Sequence, residues 1–330
     1  MIVENITTEV KYIALKTPFI TALRKVENIE FVRVEILFDN GKMRFGEAPA
    51  TVAITGESID TILNSINKIK NKIVNKSIDE AFIILHNSSI GSSAKAAIDM
   101  ALFRFEELNY MKKVLYTDIT ISLNKKEKML NDSKAAFENN MPILKIKLGE
   151  NINHAIEVTK LISKELANAK LLIDANQAWS LESSLKYIEA VKDLDIELIE
   201  QPVKANELNE LKEISQKSNI KIMADESTFT LEDVKKVMKS KSADMINIKL
   251  MKCGGVTKAI EILEYARKNN IECMLGSMLE GPVSINAALH LALAYDDIIK
   301  YIDLDSPLLY KEPSDELDFE FNGYEIRLKT

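Results

Sequence analysis

From about residue 116 to residue 305 the chain repeats one layout: a short apolar run, then a stretch with apolar residues at three- and four-residue spacing. The runs fall at 118–122, 143–148, 170–175, 197–200, 221–225, 245–249, 272–275 and 300–304. The amphipathic stretches fall at 125–139, 154–166, 181–191, 206–216, 231–239, 256–268 and 283–295. Short apolar runs of this kind read as strands, and the longer 3.6-period stretches as helices. Strands that alternate with helices pair in parallel, because each helix carries the chain back along the sheet. Eight such strands, each but the last followed by a helix, predict a closed parallel α/β barrel of (β/α)7β form, a modified TIM barrel. A doubly wound open sheet is the alternative arrangement. Thr230 and Asp233 are spaced as a capping box at one helix start.

Residues 1–115 have a different rhythm. Residues 30–38 and 42–47 read as strands around Asp39-Asn40-Gly41, a hairpin signal. Helical spacing follows at 58–76, 78–85 and 92–108. Strands followed by helices predict an α+β N-terminal capping domain. The tail, 306–330, carries a strand signal at 324–328 and is expected to return to that domain and complete it. The expected division is 1–115 for the cap, with 306–330 returning to it, and 116–305 for the barrel.

Composition narrows the function classes. A net charge of -7 argues against a general nucleic-acid binder, which is usually basic. No run of about 20 apolar residues is present to span a membrane. The first ten residues, MIVENITTEV, lack the basic and apolar regions of a signal peptide. Cys253 and Cys273 form no pairing pattern, so a reduced, cytoplasmic compartment is expected. His86, His154 and His290 have no metal-ligand spacing and read as structural.

The ends of the predicted strands carry charge. ILKIKLG at 143–149 alternates strictly. Leu144, Ile146 and Leu148 take one face, suited to helices, and Lys145 and Lys147 take the other. LLIDAN puts Asp174 and Asn176 on the face of Leu172, ELIEQP ends in Glu200, and KIMADES ends in Asp225 followed by Glu226. DMINIKL puts Met245, Asn247 and Lys249 together, and YIDLDSP puts Tyr301, Asp303 and Asp305 together. In such barrels chemistry collects at the C-terminal strand ends. Charges pointing inward are costly unless paired or bound to metal, so these lysines and carboxylates at one rim predict a functional site.

Asp174, Glu200 and Asp225 come from three consecutive strands and would repel one another without a cation. An all-oxygen set with no His or Cys suits Mg²⁺. Lys147 and Lys249, on the second and sixth strands, fall on opposite sides of the mouth. A free lysine, with a pKa of about 10.4, is a poor base. A nearby lysine, such as Lys145, and a divalent cation disfavour the protonated form, which is expected to make Lys147 and Lys249 usable bases. Two opposed bases can take a proton from one face of an α-carbon and return one to the other, with the metal offsetting the charge of an enediolate. Asn176 and Asn247 share faces with these groups and are expected to support them.

Taken in order, KIKLG, DANQAW, IEQPV, ADES, NIKLMKCGG and GSMLEGP resemble the enolase superfamily, in its muconate-lactonizing subgroup. The resemblance covers the whole chain, including TPFITALR and GEAPAT. Within the subgroup it is similar to the dipeptide epimerases, whose mark is a D-x-D after the eighth strand, here Asp303-Leu304-Asp305. It implies a cap over a (β/α)7β barrel, Mg²⁺ on Asp174, Glu200 and Asp225, and acid–base lysines at Lys147 and Lys249 with Lys145 assisting. Enolase-type sites use this lysine-and-magnesium device. Two carboxylates beside the metal can hold an ammonium, so metal and Asp303/Asp305 together would measure a dipeptide.

In the resembling Ala-Glu enzymes an arginine in the 17–24 loop meets the substrate's glutamate. Arg24 stands in that loop here, and arginine suits bidentate carboxylate pairing. That implies an acidic second residue, while Ile20 beside it suits other side chains. Ser277, Met278 and Glu280 are expected to line the pocket, and the 49–58 loop to close over it. Gly254-Gly255 reads as a turn and Trp179 as packing. The activity implied is inversion of the C-terminal residue of a dipeptide by two-base 1,1-proton transfer. The alternatives are a cycloisomerase, an o-succinylbenzoate synthase-like lyase or an N-acylamino acid racemase, and, from another class, a catalytically silent metal- or peptide-binding protein. The expected partner is a small dipeptide, with no nucleic acid or membrane, and the expected assembly is a homo-oligomer.

Overall fold

Gly41 turns the first hairpin. Its φ of +77° lies in the left-handed region, which costs glycine little. Its N–H donates to the Phe38 carbonyl at 2.8 Å, and Asn40 Oδ1 accepts from the Lys42 N–H at 3.0 Å. The computed structural model describes residues 1–329. Its first three strands, β1 (Val3–Ile20), β2 (Lys25–Phe38) and β3 (Met43–Pro49), form an antiparallel sheet in that order. β1 is not among the strands expected from the sequence. Only Val3, Ile6 and Leu15 of its 18 residues are buried, so most of both faces stays polar, and pairing with β2 defines it.

Helices Ile59–Ile73, Ile78–His86 and Ser92–Leu102 cover one face of this sheet. The last is shorter than the 92–108 periodicity predicts. Arg44 Nη1 donates to the carbonyls of Leu102 and Phe103 at 3.2 and 3.0 Å, and takes up helix-end acceptors at that point. Phe103 then turns extended, with φ -68° and ψ 145°.

After β4 (Val114–Tyr116) come β5 (Ile119–Ile121), β6 (Ile143–Lys147), β7 (Lys170–Asp174), β8 (Ile196–Glu200), β9 (Lys221–Ala224), β10 (Met245–Lys249), β11 (Glu272–Gly276) and β12 (Ile299–Asp303). These last eight form one parallel sheet in sequence order. β5 and β12 meet at its seam: the Asp118 N–H donates to the Ile302 carbonyl and the Leu304 N–H to Thr117 Oγ1, both at 3.0 Å. The open-sheet alternative is excluded by that closure.

Period-2 alternation then sorts the side chains. Leu144, Ile146, Ile173, Ile199 and Ile222 point outward and pack with the surrounding helices. Leu172, Leu198, Met223, Met245 and Met274 form an apolar layer inside the cylinder. The residue two places further along β7, β8 and β9 therefore emerges inward, directly above that layer. Thr230 caps its helix as its spacing predicts, with Oγ1 accepting from the Asp233 N–H at 3.2 Å.

Two buried acids tie the cap to the barrel. Glu47 accepts from the Val283 and Ser284 N–H groups at 2.9 and 3.2 Å, at the start of helix Pro282–Ala294. Arg33 joins Glu47 at 2.6 Å to Glu316 at 2.8 Å. Asp99 accepts from the Thr257 N–H at 3.0 Å at another helix start. The tail meets the cap where the Lys311 N–H donates to Ala14 at 2.8 Å. It then forms β13 (Phe319–Asn322) and β14 (Glu325–Leu328), which pair with β4 rather than with the cap sheet.

Gly46 lies where β3 crosses helix Ser92–Leu102, and a Cβ there would sit 1.9 Å from the Ala97 carbonyl oxygen. Overpacking of this kind costs about 1–3 kcal/mol. Gly46→Ala should lower the unfolding free energy by that amount, seen as a lower urea midpoint with an unchanged m-value, and an unshifted midpoint would count against this packing.

Candidate active site

The inward charges at the barrel mouth are locked together by lysines. Lys145 is fully buried; its Nζ donates to Asp303 Oδ2 at 2.6 Å and lies 2.7 Å from Glu200 Oε2 and 3.5 Å from Asp174 Oδ2. The Glu200 contact is an ion pair without hydrogen-bond alignment. Lys147 donates to Asp174 Oδ2, and Lys249 to Asp225 Oδ2, each at 2.6 Å. Lys147 on β6 and Lys249 on β10 stand on opposite sides of the eight-stranded cylinder. Asn247 Nδ2 donates to Glu200 Oε1 at 2.8 Å, and the Asn176 N–H to Asp174 Oδ1 at 2.9 Å.

The backbone just beyond these strands is strained. Asn176 has φ +44° and Gln201 φ +37°, both unusual for residues with a Cβ. Gln201 uses that turn to accept from the Asp225 and Ser227 N–H groups at 2.9 and 3.1 Å. A Cβ on Gly276 would lie 2.8 Å from Asn247 Oδ1 and 3.1 Å from Lys249 Cε, so glycine leaves room for the lysine arm.

Seven buried carboxyls (Asp118, Asp174, Glu200, Asp225, Glu226, Asp303, Asp305) face four buried lysines, Lys145, Lys147, Lys249 and Lys252. The excess of acid sets the titration. Burial and the Asp174 charge push Glu200 up to about 7, and burial and Asp225 push Glu226 up to about 8. Asp225 is held well below the usual range, because Lys249 and Lys252 outweigh its burial. Burial would lower Lys145 and Lys249, but the surrounding acids outweigh it and raise both. The lowering of Lys249 expected from the sequence presumes a divalent cation among these acids; the acids by themselves act in the opposite direction.

The donor set fits a hard cation. Glu200 Oε2, Asn176 Oδ1 and both Glu226 oxygens are buried without hydrogen-bond partners, and every one is oxygen. Asp174, Glu200 and Asp225 arrive from adjacent strands, but lysines occupy their free oxygens. Among the described residues, the acids whose oxygens converge within 4.8 Å are Asp118, Asp303 and Asp305.

The cap closes this mouth. Phe19, Thr21, Leu23, Arg24 and Ile54 line a cavity shared with Lys147, Asn176, Lys249, Ser277, Met278, Asp303 and Asp305. Burial lowers the pKa of Arg24. Ser277 and Met278 line the cavity as expected from the sequence, but Glu280 does not. Its carboxylate folds under the loop, accepting from the Met278 N–H at 2.7 Å and from Ser284 Oγ, and burial pushes it up to about 7. Trp179 packs on Tyr187 at 4.6 Å and is not among the residues lining the cavity. Burial raises both cysteines to about 12, which leaves them unreactive.

Lys252 is not evident from the strand pattern, whereas Asp118 lies in it but belongs to no motif. Lys252 Nζ donates to Asp225 Oδ1 at 2.5 Å from the short helix Leu250–Cys253, beyond the strand where alternation can be read. Asp118 begins the alternation Asp118-Thr120-Ser122, which was legible once Ile119 and Ile121 were placed outward.

A capped parallel barrel with carboxylates on three adjacent strands and lysines on two opposed ones defines a class of enolase-like enzymes. The chain belongs to the family described as Enolase C-terminal domain-like, whose model matches residues 128–330. It is 55% identical to the L-amino acid-D/L-Glu epimerase of Sulfurimonas denitrificans over 99% of each chain. The substrate-liganded L-Ala-D/L-Glu epimerase from Bacillus subtilis superposes with a TM-score of 0.93 at 35% identity, covering 100% of this chain and 97% of that one. The dipeptide epimerase from Enterococcus faecalis, complexed with Mg and L-Leu-L-Tyr, gives 0.94 at 32% identity, covering 100% and 98%.

Lys145→Met would leave Asp303, Glu200 and Asp174 without their shared cation. Breaking such a buried pair costs about 3–5 kcal/mol. Urea unfolding in the presence of chelator should register that loss, and an unchanged midpoint would mean that Lys145 does not neutralise the group.

Proposed function

We propose that this protein is a Mg²⁺-dependent dipeptide epimerase that inverts the α-carbon of the C-terminal residue. The observation that carries the reading is the placement of Lys147 and Lys249 across one mouth from each other, beside Asp303 and Asp305. Asp174, Glu200 and Asp225 would hold the ion. When bound, the ion supplies positive charge beside the substrate carboxylate, which lowers the cost of withdrawing the α-proton. With those acids neutralised, Lys249 loses much of the field that raises it, and one lysine of the pair can begin as a free amine. Lys147 moves the proton on one face of the α-carbon and Lys249 on the other. Lys145 stays charged and holds Asp303 in place, while Asn176 and Asn247 orient Asp174 and Glu200.

Asp303 and Asp305 bind the substrate's ammonium, and the distance from them to the three metal-binding acids selects a dipeptide. Arg24 lies in the cap wall of the same cavity and meets an acidic second side chain. The two D/L-Glu epimerases named above support that preference. In this reading the cap, 1–115 with the tail, supplies specificity, and the barrel, 116–305, supplies chemistry. Among the described residues no helix is long and apolar enough to cross a membrane, and both cysteines are free. These features support a cytoplasmic enzyme; a homo-oligomer belongs to the same reading.

In D₂O, L-Ala-L-Glu should gain deuterium at the glutamate α-carbon and yield both epimers. Lys147→Ala and Lys249→Ala should each slow inversion by about 10²–10⁴-fold, the usual worth of a general acid–base group. Normal epimerisation by both variants would overturn the two-base assignment. Asp303→Asn should abolish turnover here, whereas a cycloisomerase or N-acyl racemase would keep it.

The arginine has its own test. Arg24→Met should lower kcat/KM for L-Ala-L-Glu by tenfold or more, since a charge-assisted hydrogen bond is worth about 1.5–3 kcal/mol. L-Leu-L-Tyr should be turned over no worse than by wild type. Equal losses on both would remove Arg24 from the recognition of acidic side chains.

A further inference from the structure

A third acid stands behind the D-x-D pair, at the seam where the barrel closes. The Asp118 N–H donates to the Ile302 carbonyl at 3.0 Å, which seats its side chain beside Asp303. The carboxylate oxygens of Asp118, Asp303 and Asp305 lie within 4.8 Å of one another, and all three residues are buried. Asp303 accepts from Lys145 at 2.6 Å, and Asp305 from the Thr120 N–H at 2.6 Å. Asp118 is 1% exposed, and neither of its oxygens has a hydrogen-bond partner.

The groups facing Asp118 are Asp303 and Asp305 from the β12 end and Lys145 and Lys147 from β6. Lys147 is engaged by Asp174, and Lys145 is shared with Glu200 and Asp174. The three acids therefore have a fraction of one cation between them. On its other side Asp118 borders a cavity of about 660 Å³ at the barrel floor, walled by Leu172 and Tyr301 and rimmed by Lys112, Lys113, Lys170 and Lys300, none of which hydrogen-bonds to either Asp118 oxygen. A buried carboxyl without a partner is costly unless an occupant of the site offsets it.

We propose that Asp118 is a positioning residue of the ammonium pocket, adding from behind Asp303 and Asp305 the third acid that draws the amino terminus of the substrate into the barrel. The proposal rests on the epimerase reading and extends its two-carboxylate pocket to three. In the empty pocket three carboxyls this close do not all ionise; burial and the Asp303 charge raise Asp118, and burial and Asp303 push Asp305 up to about 6. A docked ammonium reverses that balance. The proton retained by the cluster leaves to solvent, and the ammonium takes over the neutralisation. Binding of a dipeptide thus releases a proton, and binding of an N-acylated analogue does not.

Asp118→Asn tests this on the Mg²⁺-loaded protein. The substitution keeps the shape and gives Asp303 an amide donor, so the free variant should melt no lower than wild type. Its KM for L-Ala-L-Glu should rise by about tenfold or more with kcat within about threefold, since one charge near the ammonium is lost. Calorimetric titration with L-Ala-L-Glu in buffers of different ionisation enthalpy should give proton release for wild type and less for the variant. Unchanged KM and unchanged proton release in the variant would overturn the proposal. So would a melting temperature lowered together with equal losses in kcat and KM, which marks a structural role; Asp118→Leu, which lacks any polar group, must then fail in the same way. If wild type itself binds and turns over no dipeptide, the epimerase reading fails first, and that outcome is distinct from a variant that matches an active wild type.

Discussion

One buried ammonium makes the rest of the barrel mouth possible. Lys145 has no exposed surface and touches acids from β7, β8 and β12, three strands that would otherwise aim unneutralised carboxylates into a low-dielectric interior. It stands immediately above the apolar layer of Leu172, Leu198, Met223, Met245 and Met274. That layer weakens screening from below, so the acids and lysines of the mouth act strongly on one another. This explains why the acids raise Lys249 instead of leaving it a ready base, and why Glu200 and Glu226 are pushed to about 7 and 8. The mouth is short of positive charge by design of its strand ends, and a divalent ion is the economical complement.

The cap depends on the same logic at lower charge density. Glu47 and Asp99 are cap acids placed at the starts of barrel helices, where backbone N–H groups lack intrahelical partners. Gly281 and Gly255 permit those approaches, because a Cβ at either would fall within 2.5 Å of the acid. The cap is thereby held in one orientation over the mouth. The loop between β1 and β2 is closed by the Thr21 N–H donating to the Arg24 carbonyl at 3.0 Å, which presents Arg24 to the cavity.

Most of this was legible because side-chain direction in a strand follows from parity alone. Asp174, Glu200, Lys145, Lys147 and Lys249 could be assigned inward from alternation, and the structure puts them there. Parity ends where the strand ends. Lys252 lies in the first turn of a helix and Gln201 in a left-handed turn, so neither direction could be inferred. Glu280 shares that fate: two residues of loop let it fold under Met278 rather than face the cavity. β1 was missed for a different reason. Its residues are mostly exposed, and its strand character comes from pairing with β2, a tertiary fact that local pattern does not contain. The direction of the Lys249 shift required a count of all charges around it, which no single motif provides.

Fold likeness cannot divide the substrates further. The structures solved with an Ala-Glu epimerase ligand and with L-Leu-L-Tyr match this chain equally well, at TM-scores of 0.93 and 0.94. A shared backbone therefore serves both an acidic and an aromatic second residue, and the distinction must lie in side chains of the cap wall. In the proposed reading the barrel contributes two charge centres, the acids Asp174, Glu200 and Asp225 and the Asp303–Asp305 cluster, which would meet the backbone ends of a dipeptide. Between them the cap offers Phe19, Leu23 and Ile54, which are indifferent to charge, and Arg24, whose burial already lowers its pKa. A half-buried guanidinium gains from an anion and loses from an apolar group that shields it from water. In the proposed reading, preference for an acidic residue would come from this one cation in the cap wall, apart from the lysines of the barrel beneath.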